Sequence, residues 1–231
     1  MTLAYAKHKN ILFQILKDIY SQTSLAPYLG FKGGTAALLF YGLDRNSVDL
    51  DFDLLDEEKE QFVFGSLQKI VSSYGKIIES RKKRFNLIHI ISYEPDVQNI
   101  KIEVNLRKFG SRYELKELLG IPLPVMAKAD MFAHKLMAMH ERIGKTSRDI
   151  YDVWFFLKNN WPINNKIVEK RSGRSLSEFL KTAVKQLEDL NNRKILVGLG
   201  EFLKQSQRDW AKEKLRSETI FLLKARLESE R

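Results

Sequence analysis

Three aspartates stand at alternate positions in the run SVDLDFDLL: Asp49, Asp51 and Asp53, separated by Leu50, Phe52 and Leu54. Strict alternation is the pattern of a strand with one buried face, so the three carboxylates share the other face, about 6.5–7 Å apart. Like charges at that spacing raise one another's pKa unless a cation neutralises them. Magnesium is suited to this, because it takes one or two carboxylates and fills its other positions with phosphate oxygens and water. A pair of such ions can hold the attacking and leaving oxygens of a phosphoryl transfer in line. An edge strand with an acidic outer face shows the same alternation, so the aspartates alone do not decide the chemistry. Gly33-Gly34-Thr35 tips the balance. A glycine turn that opens a helix offers free backbone amides to a phosphate, and thirteen residues separate Thr35 from Asp49.

These residues need a sheet to hold them. Apolar spacing predicts a helix over residues 3–21, with Ile11, Ile15, Leu16 and Ile19 on one face. LGFKGG reads as a short strand ending in the glycine turn, TAALLFYGL as a helix stopping near Gly42, and 48–55 as the aspartate strand. A second amphipathic helix is expected over 56–74, opening on Asp56-Glu57-Glu58. Strands are expected over 76–82, 86–93 and 99–107; in the last, Lys101, Glu103 and Asn105 oppose the apolar face. After about residue 126 the patterns are helical. The fold class is therefore α/β (α+β), a mixed sheet flanked by helices and followed by a C-terminal helical domain. Gly110, Gly120, Pro122 and Pro124 mark the change of character, giving an α/β domain at 1–120 and a helical domain at 121–231 that would complete the active-site cleft.

The stretch KGGTAAL…YGLDRNSVDLDF resembles the signature of the nucleotidyltransferase superfamily. At finer grain it is similar to the motif of the AbiEii/AbiGii toxin-type nucleotidyltransferases, carried here by Lys32, Gly33, Gly34, Thr35, Arg45, Ser47, Asp49 and Asp51. A second block of that family, on helices, is matched by HKLMAMHERIGKTSRDIYDVWFF, with Lys135, Leu136, Ala138, Arg142, Arg148, Asp149 and Asp152, about 80 residues further on. The resemblance implies that Asp49 and Asp51 bind Mg²⁺, or Mn²⁺ in its place, carrying an NTP triphosphate. The backbone of Gly33 and Gly34, the Thr35 hydroxyl and the neighbouring Ser47 would hold phosphates. Glu103 would be the third carboxylate, a second metal ligand and the base for an acceptor hydroxyl. Lys135 would touch a phosphate with Arg148 near it; Asp149 and Asp152 share a helix face, and either could orient Lys135. Asp53 lies beyond the two-aspartate pattern and is expected to tolerate change. The implied function is Mg-dependent transfer of NMP from an NTP to an acceptor hydroxyl, with RNA, the tRNA 3′ end in particular, as acceptor, in a toxin with a cognate antitoxin. A small-molecule or protein acceptor, or a non-catalytic RNA- or protein-binding module on the same scaffold, are the alternatives.

Composition agrees with these expectations. Among 231 residues, 39 basic side chains against 29 acidic leave a net charge of +10, which favours a polyanionic partner. Four consecutive basic residues, Arg81-Lys82-Lys83-Arg84, fall between two strand candidates, where a polynucleotide could meet them. Cysteine is absent, which excludes disulfides and thiolate metal sites. Lysines interrupt the N-terminal apolar positions and no run approaches the ~18 apolar residues of a membrane span, so a cytoplasmic, non-membrane protein is expected. His89 and His134 have no second ligand at metal spacing and read as structural or surface residues.

Overall fold

A computed structural model describes residues 3–229. The chain forms two compact units, Met1–Lys108 with Arg112–Met126, and Ala127–Arg231 with Phe109–Ser111. The first is built on a seven-stranded mixed sheet. Its helix α1 (Leu3–Ser21) buries Leu12, Ile15, Leu16 and Ile19, one stripe at 3- and 4-residue spacing. Strand β1 (Leu29–Lys32) runs into helix α2 (Gly33–Tyr41), which ends on Gly42 in the left-handed conformation, φ 73°. Strand β2 is Leu50–Leu54, one residue past Asp49, and helix α3 is Glu60–Ser72 after a 3₁₀ turn at Glu57–Lys59. Strands β3 (Lys76–Lys82), β4 (Asn86–Ser92) and β5 (Ile100–Asn105) follow.

Two strands that the sequence pattern did not reveal, β6 (Tyr113–Leu118) and β7 (Ile121–Met126), form a hairpin. The expected boundary at 120/121 falls in its turn. Pro122 and Pro124 look like linker residues, since proline cannot donate to a ladder. They are tolerated because β7 meets β1 in register only at Phe31–Val125, so their segment is bonded to β6 alone. The sheet order is β3-β4-β5-β2-β1-β7-β6, with β2–β5 and β1–β7 parallel and the other neighbours antiparallel. Leu50, Phe52, Leu54, Ile100, Ile102 and Val104 are buried along β2 and β5, leaving the alternate residues for the opposite face.

The second unit is helical: α4 (Lys128–Arg142), α5 (Arg148–Lys158), α6 (Asn165–Ser172), α7 (Leu176–Asp189), α8 (Gln205–Trp210) and α9 (Arg216–Ser229). A π-helical turn at Ala211–Leu215 joins α8 to α9. Helix α7 opens on a capping box, Ser175 and Glu178 each accepting the other's backbone N–H. Phe156 and Trp161 stack at 4.0 Å in its core.

Candidate active site

Cross-strand register turns the alternation of β2 into two rows of side chains on one face of the sheet. The first row runs Lys32 on β1, Asp51 on β2, Glu103 on β5 and Ile88 on β4. The second runs Gly30, Asp53, Asn105 and Asn86 on the same four strands. Residues directly opposite in neighbouring strands lie about 4.5–5.5 Å apart, so Asp51 has Lys32 on one side and Glu103 on the other. Asp49 sits just ahead of the first row.

The backbone around Asp49 is pinned from both sides. The Thr35 hydroxyl donates to the Asp49 carbonyl at 2.5 Å, and His8 Nε2 lies 3.0 Å from the carbonyl of Val48. A carbonyl only accepts, so Thr35 has spent its one proton there and must accept from Ser47 Oγ, 2.9 Å away. The two hydroxyls expected to hold phosphate are thus linked to each other and to the backbone of the carboxylate loop. The same logic puts the His8 proton on Nε2, leaving Nδ1 to accept from Tyr93 at 2.9 Å. Burial lowers the His8 pKa and keeps the ring neutral.

Gly33 occupies a position that disfavours any side chain, and Gly34 one where a side chain would displace its neighbours. Gly33 has φ +81°, and a Cβ there would stand 2.3 Å from Asp51 Oδ2. A Cβ on Gly34 would meet Arg45 Nη2 and Ser47 Oγ, each at 2.9 Å. The turn is thus packed directly against one carboxylate and against the buried guanidinium of Arg45. The first turn of α2 carries no side-chain cap, as a backbone anion cradle requires.

Glu103 is beside Asp51 as expected, and both its oxygens are engaged. Asn86 Nδ2 donates to Oε1 at 2.5 Å and Lys101 Nζ to Oε2 at 2.7 Å. Among the described residues, no three or more His, Cys, Asp or Glu side chains are gathered tightly enough to hold an ion by themselves. Two carboxylates suffice for magnesium when substrate phosphates complete the shell. The Lys101 ammonium shows that the face attracts a cation: burial lowers its pKa, yet Asp51, Glu103 and Asp49 outweigh burial and raise it. The donor set at Asp49 and Asp51 fits a divalent ion shared with a nucleotide.

Asp53, expected from the sequence to tolerate change, is engaged on every side. Its carboxylate is buried and accepts from Lys32 Nζ at 2.5 Å, Asn105 Nδ2 at 2.7 Å and Tyr113 Oη at 2.5 Å. Burial pushes its pKa up, but the Lys32 ammonium and the hydrogen bonds from Lys32, Tyr113 and Asn105 hold it below the usual value. Gly30 makes room for this, since a Cβ there would lie 2.2 Å from the Tyr113 ring. Asn105 lies opposite Asp53 in register on β5, whereas Tyr113 on β6 reaches it from two strands beyond β1, over Gly30.

In the helical unit, Lys135 is clasped by both aspartates, Nζ standing 3.2 Å from Asp149 Oδ1 and 2.7 Å from Asp152 Oδ2. Sequence spacing left open which aspartate would reach it. Arg142 Nη2 lies 2.7 Å from Asp149 Oδ2, an ion pair whose angle is not that of a hydrogen bond. Both carboxylates are buried, and so is most of the Lys135 side chain. Arg148, expected near a phosphate, places its guanidinium 5.0 Å from the Phe202 ring centroid. His134 is structural, between Ser111 and Arg171.

A glycine turn leading into a helix, followed by paired carboxylates at the start of the adjacent strand of a mixed sheet, is the arrangement of the nucleotidyltransferase class. The model of the AbiEii nucleotidyl transferase toxin family, of type IV toxin–antitoxin systems, matches residues 14–220, and the chain belongs to that family. Family membership makes it a nucleotidyltransferase and implies an NTP substrate and a cognate antitoxin. Among solved structures, JHP933 from Helicobacter pylori is 18% identical and has a TM-score of 0.65, with all of this chain and 96% of that one covered. A second Helicobacter pylori protein, provisionally described as a nucleotidyltransferase, is 17% identical with a TM-score of 0.63, covering all of this chain and 99% of its own. These likenesses establish the fold. No curated protein matches the sequence. Among the described residues, no helix is long and apolar enough to cross a membrane.

Proposed function

We propose that the protein transfers NMP from an NTP to an acceptor hydroxyl of RNA, the tRNA 3′ end in particular, and acts in this way as the toxin of its toxin–antitoxin pair. The observation that carries the chemistry is the contact of Gly33 with Asp51, which joins a phosphate cradle to a metal-binding carboxylate without intervening atoms. Magnesium, or manganese, held by Asp49 and Asp51 would supply Lewis-acid polarisation of the phosphates. The Gly33 and Gly34 amides bind the triphosphate, with the Arg45 charge behind them. Thr35, Ser47 and His8 position Asp49 by holding the two carbonyls of its loop. Glu103 takes the proton of the attacking hydroxyl once Lys101 has released its Oε2. In the helical unit, Lys135 is the cation assigned to phosphate, and Asp149 and Asp152 fix its ammonium. The net charge of +10 supports a polyanionic acceptor over a cationic small molecule.

The test is incubation with each labelled NTP, Mg²⁺ and total tRNA, beside Asp49→Ala. Label should enter tRNA with the natural chain and fall by at least about a hundredfold in the variant, the scale of a lost electrostatic contribution. Transfer that survives the substitution would refute the assigned site. Transfer to protein or to a small molecule alone would replace the acceptor and keep the chemistry.

A further inference from the structure

The proposed reaction leaves one motif unused, the basic run Arg81-Lys82-Lys83-Arg84 and the phenylalanine that follows it. β3 and β4 meet there in a tight turn, the Lys83 N–H bonding to the Asn86 carbonyl at 2.8 Å. The Leu106 N–H donates to the Phe85 carbonyl at 2.8 Å, so the tip is tied to the end of β5. The backbone is fixed, yet the Phe85 ring is uncovered, 45% exposed. Two guanidiniums face it, Arg84 at 4.9 Å and Arg107 at 5.6 Å from the centroid. Arg107 is itself aimed, since its Nε donates to Asn105 Oδ1 at 3.1 Å and Asn105 in turn donates to Asp53. The ring therefore terminates the polar rows of the active face. Asn86, the next residue, reaches Glu103. Phe85 stands three positions before Ile88, the cross-strand partner of Glu103, a distance of about 10 Å along a strand. Arg81 and Lys82 are neutralised by Glu79 and Glu60, whereas Lys83 and Arg84 form no ion pair among the described residues.

We propose that Phe85, with Arg84 and Arg107, is a stacking platform for an unpaired base of single-stranded RNA, with the strand's phosphates against Lys83 and Arg84. The proposal rests on the reading of RNA as acceptor and says where that acceptor is gripped. A fixed aromatic ring flanked by guanidinium planes gives a base two kinds of π contact and its phosphate a charge. An acidic protein would use the charges and gain little from the ring.

The test is fluorescence anisotropy of a short fluorescein-labelled single-stranded RNA titrated with the full chain. Phe85→Ala should weaken binding roughly tenfold, the effect of losing one stacked base. Phe85→Trp should bind at least as tightly as the natural chain, and neither variant should shift Mg–NTP affinity measured by calorimetry. Unchanged RNA affinity in Phe85→Ala would overturn the platform and leave the RNA reading standing. Absence of RNA binding by the natural chain would overturn both. Poly-glutamate binding that falls as much as RNA binding in Phe85→Ala would assign the turn to an acidic protein and also overturn the proposal.

Discussion

Asp49, Asp51 and Asp53 look equivalent as letters and differ completely as side chains. Asp51 lines the open row between Lys32 and Glu103, while Asp53 is sealed under Tyr113 with three donors around it. Asp53→Ala removes one half of a mostly buried ion pair and leaves Lys32 with a stranded charge, a change that costs about 3 kcal/mol. Asp51→Ala should alter stability by less than about 1 kcal/mol, as a partly exposed residue without such a network does. Urea unfolding of the two variants checks this, and equal midpoints would contradict the buried hub. The sequence could not rank these residues because Tyr113 is sixty residues away from Asp53 and joins it through a hairpin with no clear strand pattern. What the sequence did give for Asp51 was its nearness to the glycine turn, because Gly33 is close to it in the chain and of a recognisable type.

Elements with their own periodicity were legible, and those defined by pairing alone were not. Helix α1 falls where the apolar spacing put it, and β5 keeps Lys101 and Glu103 opposite its buried residues as alternation required. The β6–β7 hairpin was hidden by its glycine and prolines, whose ladder cost is removed by bonding on one side only. Strand β4 carries a pH dependence that follows from its burial. His89 packs against Phe64 at 4.7 Å, shares its Nδ1 with Ser80 and leaves Nε2 without a partner. Burial pushes its pKa down to about 4. The folded value lies below the unfolded one, so the unfolded chain takes the proton first as pH falls. The stabilisation is therefore complete above about pH 6.5 and is lost on approach to about pH 4. It is worth on the order of 3 kcal/mol, and the lowered His8 adds the same sign. Urea midpoints across this window should fall less steeply in His89→Leu than in the natural chain; equal slopes would place the effect elsewhere.

At the scale of the whole molecule, the charge of +10 and isoelectric point of about 9.6 set how the protein meets a polyanion. If Lys83, Arg84 and one further cation each neutralise a phosphate, log affinity for single-stranded RNA should fall against log salt with a slope of about −2. Anisotropy titrations over a salt series measure that slope, and a flat line would remove the electrostatic part of the RNA reading. Family membership was legible from two short blocks because both encode local geometry, a turn before a strand and a helix face. The network of Lys32, Asp53, Asn105 and Tyr113 was not, because it depends on how the strands are arranged in the sheet.

Gly30, Gly33 and Gly34 stand within five residues, and each lacks a side chain for the sake of a different neighbour: Tyr113, Asp51, and the Arg45–Ser47 loop. A genetic consequence follows. One added methyl group at each position should separate three contributions that otherwise fail together: support of the buried hub, placement of Asp51, and placement of Arg45 with Ser47. Alleles at three nearly adjacent codons would thus dissect the site more cleanly than removal of the functional side chains themselves.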